Sequence, residues 1–301
     1  MMIKSFSEIV ERAKKLGRTT VSVAVAQDMD ILMAVKAAYD EGIADAILVG
    51  DAALIRPLAE KAGLPEDICI IDEPDTDKAA LKAVSLVREG KAGILAKGLI
   101  NTSNFLRAAL NEECGLRTGK ILSHLTAYEI PGVKKLLFQS DGGVNIAPNL
   151  EQKKAILINS LEALKTLGID MPKVAVLAAN EQVNPKMPAT VDAKALVDMA
   201  KAGELPPCII EGPIAMDVAA SREAAEHKGI ESEVSGDADF YLVPNIEAGN
   251  LVGKALVCYA KAKIGGVILG ATHPMVLVSR SDSAEAKLYS IALACLIANK
   301  K

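Results

Sequence analysis

The chain has 301 residues, 50% of them hydrophobic and 24% charged, which is enough for a large core and about two domains. A net charge of -4 and a pI near 5.6 provide no basic field for nucleic acid, and no tryptophan and 3% aromatic residues leave no base-stacking surface. No apolar run approaches the ~20 residues that would span a membrane, and MMIKSFSEIVERAKKLG is a mixed-charge amphipathic pattern, unlike a signal peptide.

After that amphipathic opening, short β-rich runs alternate with helical patterns. TVSVAVA (20–26) precedes a helix pattern from about Asp30 to Glu41, stopped by Gly42. AILVG (46–50) precedes another that ends near Gly63, and CII (69–71) one that ends at Gly90. GILA (93–96) leads into KGLINTSNFLRAAL. Further on, Asn149 stands as N-cap of LEQKKAILINSLEALKTLG, with Gln152 at the capping-box position and Gly168 as the stop. VAVLAA (174–179), CIIEGP (208–213), DFYLVP (239–244) and GGVILG (265–270) are further strands. Pro274 opens a last apolar run, Met275 to Val278, before a final helix from Ala284 to Asn299. This βα alternation, with a core of Ala, Val, Ile and Leu, predicts an α/β protein with largely parallel sheets and flanking helices.

Two segments break the rhythm. YEIPGVKKLLFQSDGGVNIAP (128–148) is dense in turn residues and is the expected start of a second domain. NEQVNPKMPAT (180–190) is a polar loop with two prolines, expected over a cleft or at a subunit contact. The domain expectation is therefore 1–127 plus 271–301 for a first, discontinuous α/β domain and 128–270 for a second. The cleft between them is the default binding site. Five scattered cysteines without a C-x-x-C pair and three histidines argue against a zinc cage or a disulfide framework and suit a reducing cytoplasm.

Several constellations can carry chemistry. In Ser279-Arg280-Ser281-Asp282-Ser283 a hydroxyl, a guanidinium and a carboxylate follow a strand, where open α/β sheets bind ligands. A guanidinium there can grip a phosphate through two parallel hydrogen bonds; the same residues also suit a capped helix start. In AKGLINTSNFLRAALN (96–111), Lys97 and Gly98 turn a buried strand into a helix start at Asn101-Thr102-Ser103. Free N–H groups there attract anions, unless the helix is simply capped. Arg107 lies five positions beyond Thr102, so its reach depends on where the helix begins.

In SDGGVNIAPN, Asp141 and Asn145 can hold a loop through side-chain-to-backbone bonds. In EGPIAMDVAA, Asp217 falls in a first helical turn. Gly249 and Gly253, inside a helical pattern, imply a close neighbour, with a helix–helix contact favoured over a ligand. The first βα turn, Ala26-Gln27-Asp28, lacks the glycines of a dinucleotide site, and neither a P-loop nor a G-x-S-x-G elbow occurs.

Taken together, AKGLINTSNFLRAAL, SDGGVNIAPNLEQK, NPKMPATVDA, EGPIAMDVA, VPNIEAGNLVGKAL and GATHPMVLVSRSDS resemble the phosphate acetyltransferase and phosphate butyryltransferase family over nearly the whole chain. NPKMPATVDA and SRSDSAEAKLYSIAL are more similar to the butyryltransferase branch. The resemblance implies a two-domain fold like that of isocitrate and isopropylmalate dehydrogenases. It implies reversible transfer of a short-chain acyl group, butyryl first, between coenzyme A and inorganic phosphate in a ternary complex. On this resemblance Ser279 supports the oxyanion or the sulfur, Arg280 and Arg107 clamp the phosphoryl group, and Thr102 with the amides around it completes the anion site, to which Lys97, read from its place at the turn, adds a full charge for phosphate.

Where the acetyltransferase branch has its proposed aspartate base this chain has Ala286, so Asp282 or Glu285 must substitute, Asp282 being preferred. No cofactor is expected to be bound permanently, coenzyme A being a substrate, and no metal, nucleic acid or membrane partner is expected. A cytoplasmic homo-oligomer, dimer or higher, is expected from the apolar helices. The alternatives are acetyl-CoA as substrate, a decarboxylating dehydrogenase of the same fold, and a non-catalytic acyl-CoA-binding or oligomerisation module.

Overall fold

The computed structural model describes residues 3–277 and 283–299. The chain divides into two compact units: Phe6–Lys120 with Ile264–Lys301, the terminal unit, and Ile121–Lys263 with Met1–Ser5, the middle unit.

In the terminal unit α1 (Phe6–Leu16) leads into β1 (Thr19–Ala24), α2 (Met29–Asp40), β2 (Ala44–Gly50), α3 (Ala52–Ala62), β3 (Cys69–Asp72), α4 (Thr76–Arg88), β4 (Ile94–Lys97) and α5 (Thr102–Ala109). The middle unit holds β5 (Ser123–Glu129), β6 (Leu137–Ser140), α6 (Leu150–Thr166), β7 (Lys173–Leu177), α7 (Pro188–Lys201), β8 (Ile209–Ile214), α8 (Met216–Ala220), α9 (Arg222–His227), β9 (Phe240–Leu242) and α10 (Ile246–Cys258). The chain then closes with β10 (Lys263–Leu269), β11 (Met275–Val276) and α11 (Ala284–Ala298).

The strands of the terminal unit lie in the order β3-β2-β1-β4-β11-β10. β1 pairs in parallel with β2 and β4, and β11 is parallel to β4 with Val276 opposite Ala96. Among the described residues of this set only β10 and β11 pair antiparallel, with Ile268 opposite Met275. Val21, Val23, Leu48, Ile94, Leu95 and Met275 are each 1% exposed or less, as expected for a sheet covered on both faces. α11 is buried nearly all round from Ala286 to Ile297, the pattern of a helix enclosed in a core; Tyr289 on it stacks on Phe6 with ring centroids 4.3 Å apart.

The middle unit has the order β5-β6-β9-β7-β8, with only the β5–β6 pair antiparallel among its ladders. α6 begins in the expected capping box: Gln152 N–H donates to Asn149 Oδ1 and Asn149 N–H to Gln152 Oε1, both at 2.9 Å. The segment 128–148, read from sequence as a turn-rich break, contains the end of β5 and all of β6, with Thr126 opposite Gln139. Because β5 pairs with β6 and β10 with β11, the chain changes units at 120/121 and 263/264, seven residues before the boundaries drawn from sequence at each join.

The glycines of α10 do not face the second helix expected for them. A Cβ on Gly249 would lie 2.8 Å from Gly142 Cα, and one on Gly253 would lie 2.3 Å from the hydroxyl of buried Tyr128. The helix lies against the loop after β6 and against a β5 side chain, and only hydrogen atoms fit between.

Candidate active site

The carboxyl ends of β1 and β4 are locked together. Gly98 N–H donates to Ala24 O at 2.9 Å and Leu99 N–H to Val25 O at 2.7 Å. Val25 achieves this with φ at +58°, a left-handed conformation that is costly for a β-branched residue and persists only where the surroundings enforce it. A Cβ on Gly98 would lie 2.2 Å from Val25 O, so only glycine permits this approach. Lys97 is 7% exposed, and its ammonium donates to Ile100 O at 2.8 Å and to Gly98 O at 3.2 Å. The strand therefore ends in a rigid turn that delivers the chain to Asn101.

From that turn α5 begins at Thr102. Its first closing bond runs from Phe105 N–H to Asn101 O at 2.9 Å, but Asn101 makes no side-chain cap. The neighbouring helices differ. Asp28, Asp51 and Asp75 each accept backbone N–H groups at the starts of α2, α3 and α4. Thr102 and Ser103 are exposed at this end, where among the described residues no side chain accepts the first-turn N–H groups, and such an end with its helix dipole favours an anion.

Arg107 is exposed, and its side chain makes no hydrogen bond or ion pair among the described residues. With the helix beginning at Thr102, Arg107 falls one turn after Ser103 and shares its face, rather than that of Thr102. Helical side chains lean towards the amino end, so its guanidinium is directed back over Ser103. Phe105, Ala108 and Ala109 bury the opposite face.

Ser279, Arg280 and Asp282 lie outside the described residues. On either side of them in the sequence, Val276 pairs with Ala96 on β4, and Ser283 caps α11, accepting from Ala286 N–H at 3.1 Å. Of the residues near the missing aspartate, Ala286 is 5% exposed and the Glu285 carboxylate accepts the Tyr289 hydroxyl. Lys287, 3% exposed on the same helix, pairs with Asp30 at the start of α2 at 3.1 Å.

In the middle unit Asp141 organises the glycine loop. Its carboxylate is 3% exposed and accepts the N–H groups of His124, Gly143, Val144 and Asn145 at 3.1, 2.8, 2.9 and 3.3 Å, with Asn145 Nδ2 at 2.5 Å. Asn145 Nδ2 also donates to Leu122 O at 2.8 Å. Asp217 pairs with Lys228, whose ammonium also meets Glu181 in the 180–190 loop. Sequence reasoning missed Val25, which carries no signal: valine in a strand run reads as strand. Among the described residues there is no His, Cys, Asp and Glu cluster able to hold a metal ion, and no described helix is long and apolar enough to cross a membrane.

A family model described as phosphate acetyl/butaryl transferase matches residues 69–295. The chain belongs to this family. A phosphate butyryltransferase of Clostridium acetobutylicum is 49% identical over 301 residues, covering 100% of both chains. A phosphate acetyltransferase of Thermotoga maritima is 41% identical over 97% of this chain and 99% of its own. Among solved structures, a branched-chain phosphotransacylase from Enterococcus faecalis V583 is 36% identical and superposes with a TM-score of 0.83, covering 94% of this chain and 100% of that one. A 4-hydroxythreonine-4-phosphate dehydrogenase from Klebsiella pneumoniae, 14% identical with a TM-score of 0.59 over 94% of this chain and 99% of its own, shares the fold. The expected dehydrogenase-like α/β architecture is thus met within a family of acyltransferases.

Proposed function

We propose that this chain transfers a short-chain acyl group, butyryl in the first place, reversibly between coenzyme A and inorganic phosphate. In one direction a phosphate oxygen attacks the thioester carbonyl, the C–S bond of the tetrahedral intermediate breaks, and sulfur leaves with the electron pair and takes up a proton. Acyl phosphate and free thiol are the products. The reverse begins with the thiolate, which is a few per cent of a thiol of pKa about 8.5 at neutral pH. Both substrates are held in a ternary complex, so the barrier falls through orientation and charge stabilisation, with no covalent enzyme intermediate.

The observation that carries this reading is the uncapped amino end of α5. It supports a phosphate seat made of the first-turn amides and Thr102, with the guanidinium of Arg107, unpaired among the described residues, one turn beyond Ser103. Ser279 and Arg280 follow Val276 by three and four positions, beyond a strand paired with β4. In the proposal Ser279 supports the oxyanion, Arg280 completes the phosphate clamp and Asp282 is the base. Full-length identity of 49% to a protein named phosphate butyryltransferase supports butyryl; 41% identity to a phosphate acetyltransferase favours acetyl as the second reading. The reaction balances without a redox or metal cofactor, and its substrates suit the cytoplasm. Leu251 and Tyr259, 68% and 88% exposed on and just past α10, support a homo-oligomer.

The test is thiol release from acetyl-, propionyl-, butyryl- and valeryl-CoA with and without phosphate. Release that needs phosphate and peaks at butyryl-CoA is expected, and Arg107→Ala should raise the KM for phosphate. Equal release without phosphate identifies a thioesterase, and coenzyme A binding without turnover a non-catalytic module; either outcome defeats the proposal.

A further inference from the structure

We infer that Lys97 is a positioning residue, holding the turn that presents the amino end of α5 rather than binding phosphate itself. The inference rests on the phosphate seat proposed above and assigns the lysine a role within it. A lysine at a strand end beside an anion site would ordinarily be read as a point charge for the ligand. Here the side chain is 7% exposed and its ammonium is engaged with the carbonyls of Gly98 and Ile100. An ammonium enclosed in protein persists only when its protons are matched by acceptors, and those two carbonyls lie on the turn leading into α5.

The opposite side of the turn is independently fixed. The N–H groups of Gly98 and Leu99 are consumed by Ala24 O and Val25 O, with Val25 held left-handed to supply the second acceptor. The N–H of Ile100 returns to Gly98 O at 3.0 Å. Backbone donors from 98 to 100 are thus committed, and the donors without an acceptor among the described residues begin at the N-cap Asn101 and run into the first turn of α5. Removing the ammonium would leave the Ile100 carbonyl without the bond that fixes its direction, immediately before the N-cap Asn101. The seat would then lose its preorganisation while β1 and β4 stayed paired.

Lys97→Met and Lys97→Gln separate this role from a charge contact, because glutamine is neutral yet still offers N–H donors. Amide exchange across residues 98–105, with and without inorganic phosphate, is read by mass spectrometry beside the two Michaelis constants. Lys97→Met should speed exchange in this segment about tenfold or more. It should also abolish the protection that phosphate gives the wild type, and raise the KM for phosphate about tenfold with that for butyryl-CoA within about twofold. Lys97→Gln should recover part of each effect.

A raised phosphate KM with unchanged exchange, and glutamine no better than methionine, would make the lysine a direct charge contact and overturn the inference. Faster exchange with unaltered phosphate binding would overturn it equally. Should the wild type release no thiol with phosphate, the function proposed above fails. Phosphate protection of the 102–105 amides, present in the wild type and lost in the variants, would still support the seat; its absence in the wild type would overturn the inference. Far-ultraviolet circular dichroism identifies a variant that has not folded, and the glutamine variant then decides.

Discussion

Asn101→Asp tests the seat by filling it. In α2, α3 and α4 an aspartate at the N-cap accepts first-turn N–H groups, Asp28 from Asp30 and Ile31, Asp51 from Ala53 and Leu54, Asp75 from Lys78. Asn101 already has the extended backbone of an N-cap, with φ −67° and ψ 144°, so an aspartate placed there can adopt the same bond. Asparagine and aspartate rank alike as caps, and a carboxylate gains about 0.3–1 kcal/mol from the helix dipole. The helix should therefore be as stable as before or slightly more so.

A bound phosphate meets the opposite effect. At about 4 Å two unit charges repel by roughly 1 kcal/mol in water and about 4 kcal/mol at an effective dielectric of 20. The exposed Asn101 belongs near the lower limit, and about 1.4 kcal/mol is tenfold in affinity. Initial rates with varied phosphate at saturating butyryl-CoA should show the phosphate KM raised about tenfold by this change, with an unchanged or higher melting temperature. Asn101→Ala, which adds no charge, should stay within about threefold of the wild type. An unaltered phosphate KM in a folded Asn101→Asp enzyme would mean that the anion binds elsewhere and would sink the seat.

Truncating the loop carboxylate with Asp141→Ala leaves five donors without their acceptor. The released amides of the loop can rehydrate but that of His124 in β5 less so, so a loss of about 3 kcal/mol and a fall in melting temperature of about 6–12 °C are expected; Asp141→Asn should recover part of it, and a change below about 1 kcal/mol would contradict the network. Gly253→Ala should destabilise by about 1–3 kcal/mol despite alanine's helix preference, because the new Cβ falls 2.3 Å from the Tyr128 hydroxyl; urea melts that show equal or greater stability would refute the close contact.

Acid should weaken the middle unit: burial works to raise the Asp237 carboxyl, but hydrogen bonds from Lys173 and Lys135 prevail and hold it below the ordinary range. A depressed carboxyl stabilises above its unfolded value near 3.9 and loses that contribution as pH falls through its folded value. Stability should therefore drop below about pH 4, less steeply in Lys173→Met, and parallel curves for the two proteins would count against the pairing. Thiol reagents should modify exposed Cys69 and Cys258 first. Burial pushes the Cys295 thiol up to about 12 and that of Cys208 to about 11, so Cys295 labelling as fast as Cys69 in the native protein would contradict its enclosure.

What the sequence disclosed depended on whether the cause was local. The capping box of Asn149 and Gln152 and the stop at Gly168 rely on neighbours within one turn of chain and are present as read. Valine- and isoleucine-rich runs gave the parallel strands because a sheet covered on both faces needs no alternation. The β5–β6 hairpin was hidden behind Pro131, Gly132 and Lys134-Lys135, whose turn chemistry masks two strands paired only in space. Lys97 reads as an anion-binding charge because burial has no signature in a single lysine. The close approach demanded by Gly253 was legible from its helical setting, but not the partner: Tyr128 lies 125 residues away in sequence.

The strand order favours α5 as the place of the proposed seat. From β1 the chain builds outwards through β2 and β3 on one side, then returns to lay β4 on the other. Such a reversal opens a crevice at the carboxyl ends of the two central strands, and dinucleotide-binding folds fill it from the first βα turn. Here that turn is closed to a phosphate. Ala26-Gln27-Asp28 offers no glycine for a close approach, and the Asp28 carboxylate already occupies the start of α2. Backbone from β4 fills the crevice instead, Gly98 pressed against Val25 O and Leu99 bonded to it. An anion drawn to this edge of the sheet is thereby turned away from the amino end of α2 by like charge and from the crevice by bulk. The uncapped end of α5 remains open to it, on the strand paired with β11, from which the chain continues to Ser279 and Arg280.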